Sequence, residues 1–170
     1  MFLRMPHSPL LRELRQTKPF PSNRDEAFVA VLRTADVLRW RMAEVIEPEG
    51  ITLAQFNVLR ILRGARPTGL PTLEIGARMV EQSPGITRLI DRLEAAGLVR
   101  RERTKADRRQ VLCHIDQKGL SLLARLDTTV PQASEVLFAG LGSAEVVRLI
   151  ASLDAIRSAC AARCTSLRKQ

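Results

Sequence analysis

Across one glycine, Gly97, the hydrophobic period of this chain changes from about 3.6 toward 2, and that step limits the fold more than any other feature. Before it, Ser83 is placed to cap a helix, Pro84 suits the first helical position, and Ile86, Leu89, Ile90 and Leu93 form one apolar stripe. Gly97 is the C-terminal stop. The opposite face shows Gly85, Thr87, Arg88, Asp91 and Arg92. After it, residues 98–103 and 110–115 read as two strands, the second alternating Val111, Cys113 and Ile115 against Leu112 and His114. The polar stretch 104–109 joins them, so a capped helix runs straight into a basic hairpin.

The flanks are helical. From Asp25, the residues Phe28, Val31, Leu32, Ala35, Leu38, Met42, Val45 and Ile46 recur at helical spacing until Pro48-Glu49-Gly50 stops the run. Thr52 and Gln55 make a capping-box pair for a helix whose buried face is Leu53, Phe56, Leu59 and Leu62, ending at Gly64. A short helix follows from about Thr72 to about Val80, and the polar step Glu81-Gln82 separates it from the Ser83 helix. Beyond the hairpin, Asp116 suits a cap, Leu120, Leu123, Leu126 and Val130 supply an apolar face, and Pro131 predicts a kink or break. A last helix starts near Ser143, with Val146, Leu149, Ile150, Leu153, Ile156, Cys160 and Cys164 along one side.

At 170 residues, one compact unit with extensions is the expectation. The formal net charge of +9 raises the prior for a polyanionic partner, and its placement is informative. Residues 1–24 hold Arg4, Arg12, Arg15, Lys18 and Arg24 against Glu13, and Arg78 to Arg109 holds nine basic and five acidic residues. The rest is nearly neutral, as a dimerising or ligand-binding body is expected to be.

Short helix, tight step, capped helix, basic hairpin is the order that a winged helix-turn-helix requires. The outward face of the Ser83 helix suits a major groove about 12 Å wide. Ser83, Pro84 and Gly85 keep its N-terminus slim, and the free N–H groups there suit a phosphate. Arg88 is placed for a bidentate contact to guanine, Thr87 for a thymine methyl or a phosphate, and Arg92 for the backbone. In the hairpin loop Lys105, Arg108 and Arg109, flanked by Arg100, Arg101 and Arg103, suit the negative potential of a minor groove. Asp107 is expected to orient Arg109 through a paired hydrogen bond.

The segment from Ser83 through ITRLIDRLEAAGLVRRERTKADRRQVLCHID resembles the multiple-antibiotic-resistance regulator (MarR) family, and the DRR step at Asp107 to Arg109 after GLVRR is the most specific piece. With the flanking helices the resemblance covers roughly residues 25–165. It implies a mainly α fold: a winged helix-turn-helix with a two-stranded β-hairpin wing and an N- and C-terminal helical dimerisation region. The implied partners are a second copy of the chain and a double-stranded, palindromic operator. By position, Arg88 and its neighbours match the base-reading face, and Arg109 with Asp107 the minor-groove arginine and its partner. The chain then divides into a basic arm (1–24), a first dimerisation helix (25–50), the winged DNA-binding region (51–116) and C-terminal dimerisation helices (117–170). The arm is longer than the family's minimum.

Trp40 and Arg41 suit either a pocket for a small aromatic or amphipathic effector or plain core and interface. Cys160 and Cys164 suit a thiol switch or, better, an apolar stripe, and Cys113 suits packing. Two histidines, His7 and His114, do not make a metal set, and no cofactor is expected. The chain lacks a Gly-rich phosphate loop and a nucleophile elbow, so catalysis is not expected. It also has no apolar run of about 18 residues and no secretory apolar stretch, which points to the cytoplasm and to no membrane partner. The DNA-binding rival is a non-sequence-specific, nucleoid-type architectural protein, for which the basic arm and net charge suffice.

Overall fold

A computed structural model of the chain describes residues 8–81, 85–103 and 111–167, with side chains to residue 162. The chain divides into two compact units, Met1–Leu126 and Asp127–Gln170.

The first unit opens with a short helix, α1 (Pro9–Glu13), whose Ser8 hydroxyl accepts from the Leu10 N–H at 3.2 Å. Glu13 at its end accepts from Arg33 Nε at 2.6 Å, which ties α1 to the long helix α2 (Asn23–Ile46). Ser22 caps α2 by accepting from the Asp25 N–H, and Asp25 and Glu26 in the first turn suit the positive end of the helix dipole. The chain turns through a 3-10 segment at Glu47–Glu49 and Gly50, as Pro48-Glu49-Gly50 led us to expect. The capping box of α3 (Leu53–Gly64) is complete, with Thr52 Oγ1 accepting from Gln55 N at 3.3 Å and Gln55 Oε1 accepting from Thr52 N at 2.8 Å.

After α3 come β1 (Leu70–Pro71), α4 (Thr72–Arg78), α5 (Ile86–Ala95), β2 (Val99–Arg103) and β3 (Val111–Ile115). The two strands of the hairpin pair antiparallel, with Val99 opposite Ile115 and Arg101 opposite Cys113. They do not stand alone: β1 pairs on the other side of β3, giving the order β1-β3-β2. Gly69 makes that third strand possible. Its φ is +70°, and a Cβ there would lie 2.5 Å from the His114 ring and 2.8 Å from the Cys113 carbonyl.

The core of this unit is apolar throughout. Ile46, Leu59, Leu62, Ile75, Ile90, Leu93, Val99, Cys113 and Leu123 are essentially inaccessible, so α2, α3, α4, α5, the sheet and α6 (Gln117–Phe138) all contribute. Among the described residues no polar or charged side chain is buried.

The second unit holds the end of α6 and α7 (Ser143–Leu167). Pro131 lies inside α6 instead of ending it, and the Ser134 hydroxyl donates to the Val130 carbonyl at 3.0 Å. Asp116 is drawn to Arg100, 3.4 Å away, and its carbonyl accepts from the Leu120 N–H. No residue of α7 with a described side chain is buried, and Cys160, expected in an apolar stripe that would be covered, is exposed. The stripe is covered only in part: Val146, Leu149 and Leu153 are half-buried, while Ile150 and Ile156 are exposed like Cys160. The Cys164 side chain lies outside the described residues. Among the described residues no single helix is long and apolar enough to cross a membrane.

Candidate nucleic-acid interface

Helix α5 places its side chains as the apolar stripe requires. Ile90 and Leu93 are fully buried, Ile86 and Leu89 are partly so, and Thr87, Arg88, Asp91 and Arg92 are exposed. The helix starts later than expected. Gly85 has φ +109°, which a right-handed helix cannot include, so Gly85 is itself the N-cap and Ile86 the first helical residue. Ser83, expected as the cap, and Pro84 lie outside the described residues. Without a side chain at the cap, the first N–H groups of α5 have no side-chain partner among the described residues.

Two clusters of charge divide the outward face. Arg88 and Arg92, one turn apart, have no ion-pair partner among the described residues. Asp91 and Glu94 lie on the flank turned to the hairpin, and both are taken by one residue of β2. Arg101 Nη2 lies 2.6 Å from Asp91 Oδ1, and its Nη1 lies 2.6 Å from Glu94 Oε2. The Arg101 backbone N–H donates to Glu94 Oε1 at 3.1 Å, and its guanidinium also reaches the Thr87 carbonyl at 3.5 Å. Only 23% of the Arg101 side chain is exposed. Burial pulls its pKa down, but the hydrogen bonds it donates to Asp91 and Glu94 and their negative charge outweigh this, holding it above the ordinary arginine value.

Arg101 was legible as wing charge and missed as a fixed residue. Strand parity was the overlooked signal: it shares a face with the buried Val99 and pairs with the buried Cys113, so it points inward toward α5. Its neighbour Arg100 is engaged elsewhere, with Asp116 at 3.4 Å and Glu102 at 3.6 Å. Arg103, the last residue of β2, is exposed and without an ion-pair partner among the described residues. Lys105, Asp107, Arg108 and Arg109 lie outside the described residues.

Trp40 and Arg41 sit together on α2, with the Arg41 guanidinium 4.5 Å from the Trp40 ring centre and 3.1 Å from Glu44. Trp40 is exposed and stands between two open recesses. One, of about 350 Å³, includes Arg39, Leu53 and Glu81; the other, of about 390 Å³, includes Arg33, Val37 and Arg41. Across the first recess Arg39 Nη1 meets Glu81 Oε1 at 3.3 Å, linking α2 to the step before α5. The same step is held to α3 by the Val80 N–H, which donates to Asn57 Oδ1 at 3.0 Å. Among the described residues no three His, Cys, Asp or Glu side chains converge as a metal site.

A model of the MarR family matches residues 51–111, the stretch from α3 to the start of β3. A MarR transcription factor from Planctomyces limnophilus is 36% identical over 80% of this chain and 98% of its own, with a TM-score of 0.56. This chain belongs to the MarR family. The HTH-type transcriptional regulator TtmR of Methylorubrum extorquens is 40% identical over 77 residues, 45% of this chain. The match spans 38% of that relative's length and 62% in a second curated relative. The chain is also similar to BpsR of Bordetella bronchiseptica, at 25% identity, 78% and 98% coverage and a TM-score of 0.67. The structure of BpsR describes regulation of its DNA binding by 6-hydroxynicotinic acid.

Proposed function

We propose that this MarR-family chain is a sequence-specific reader of double-stranded DNA: a homodimeric transcriptional regulator, acting as a repressor on a palindromic operator, whose binding a small molecule modulates. The observation that carries the reading is the outward face of α5, where Arg88 and Arg92 are exposed and unpaired among the described residues while the helix itself is anchored by Ile90 and Leu93. A rigid helix bearing free guanidiniums can enter a major groove and meet guanine edges or phosphates without first breaking an internal ion pair.

In this reading Arg88 contacts a base, with Thr87 beside it. Arg92 contacts the backbone, and Ser83, Pro84 and Gly85 form the slim end near a phosphate. Arg103, Lys105, Arg108 and Arg109 form the wing grip, with Asp107 orienting Arg109. Dimerisation follows the division proposed from sequence: 25–50 and 117–170 as partner-facing helices around the DNA-binding region 51–116. The exposed Phe28 and Leu32 on α2, and Val147 and Ile150 on α7, support it. Trp40 and Arg41 are the effector-facing pair; the regulation of BpsR by an aromatic acid supports a small aromatic or amphipathic effector.

The test is selection of bound sequences from a random duplex pool at about physiological salt, where non-specific electrostatic binding is weak. An inverted repeat with half-sites about one helical turn apart is the expected product. Tight binding with no recovered motif would favour the nucleoid-type architectural protein.

A further inference from the structure

We infer that Arg101 is a positioning residue whose task is to cancel the charge of Asp91 and Glu94, so that the groove-facing helix presents Arg88 and Arg92 without two bare carboxylates beside them. The inference rests on the DNA-reading proposal above and goes beyond it, because Arg101 is not among the residues assigned to DNA.

The geometry is specific. One guanidinium spans two carboxylates at 2.6 Å each, and the same residue's backbone N–H takes the second oxygen of Glu94. All five donors of an arginine lie in a plane, so a single residue can bridge side chains three apart on a helix, which a lysine ammonium cannot do with the same directionality. The carboxylates are not incidental to the surface. Asp91 is 52% exposed and lies on the hairpin flank of the outward face of α5, beside Arg88 and Arg92 in sequence. Arg88, Asp91, Arg92 and Glu94 sum to zero charge, so without Arg101 this face of α5 has no net positive charge and two unpaired carboxylates. Repulsion between such carboxylates and phosphates at short range in a partly desolvated interface is strong enough to offset a phosphate contact. Arg101 is itself turned inward on the face of Val99, so its charge acts through the helix and not through the duplex.

The experiment compares the full chain with Arg101→Met, the pair Asp91→Asn with Glu94→Gln, and the triple variant, on the operator recovered by selection and across a salt series. Thermal unfolding of each variant is followed in parallel. Charge cancellation predicts that R101M binds at least about tenfold more weakly and that D91N/E94Q binds no more weakly than wild type. The triple variant should return to within about threefold of wild type, with an unchanged salt slope. If R101M does not fold, the triple variant alone decides, since it lacks Arg101 yet carries no bare carboxylate. A triple variant that stays weak with a salt slope lower by about one makes Arg101 a phosphate contact and overturns the inference. One that stays weak with an unchanged slope makes it a purely geometric brace and overturns it equally. Wild type that binds no duplex removes the DNA-reading proposal itself, whereas wild type that binds alongside an unrescued triple variant removes only the role of Arg101.

Discussion

Arg88 and Arg92, like Arg103, have no ion pair among the described residues to release before they bind. Arg100 and Arg101 already hold carboxylates, and Arg41 is shared between Glu44 and the Trp40 ring. Arg88→Ala is therefore expected to cost about 1 to 3 kcal/mol on the operator and to relax preference at one position. Arg92→Ala should weaken all duplexes alike and lower the salt slope by about one. Titration of operator and single-base variants over a salt series separates the two; equal weakening on every sequence by R88A would make Arg88 a phosphate contact. At the wing, Arg109→Ala should weaken binding and Asp107→Ala should partly reproduce it, and unaltered binding by D107A would remove the orienting role. Arg101 adds a pH statement. Because its folded pKa is raised, its ion pairs contribute fully below the unfolded arginine value and are lost only as pH climbs through the higher folded one, so arginine titration should leave binding flat near neutral pH.

At the scale of elements, α3, α5 and the hairpin were legible because each carries a period and a punctuation mark. Thr52 and Gln55 announced the start of α3, Gly97 ended α5, and Val111, Cys113 and Ile115 alternated. What stayed hidden had no period to show. Strand β1 is two residues long and one of them is proline, so it exists only because β3 offers it a partner and Gly69 lets it come close. The start of α5 was misjudged because Ser-Pro is a good opening pair for a helix, while a left-handed Gly85 just after it resets the helix at Ile86. The site shows the same division. The outward face of α5 could be read from the stripe, but the engagement of Arg101 depends on which way a strand residue points. Leu93→Ala, deleting a fully buried side chain under α5, should destabilise the fold by about 2 to 5 kcal/mol in denaturant unfolding. A loss below about 1 kcal/mol would mean that α5 is not anchored through Leu93.

For the whole molecule, the unfinished business of the isolated chain is apolar surface. Phe28 is 66% exposed and Leu32 55%, one turn apart on α2, although the sequence pattern alone marks them as a buried stripe. Period tells which residues share a face but not which molecule covers it, so a stripe meant for a second copy looks the same as one meant for the chain's own core. In the dimeric reading, Phe28→Glu with Leu32→Glu should shift the protein to monomer in sedimentation equilibrium and take operator binding with it, whereas R88A should remain dimeric. A double variant that stays dimeric would place the interface elsewhere.

The central claim is that this chain reads sequence, and the ratio of two dissociation constants tests it most directly. Binding of the full chain to its selected operator and to a scrambled duplex of equal length should be measured at about physiological salt. The account predicts a preference of roughly 10³-fold or more for the operator; a ratio near one, with tight binding to both, would contradict it.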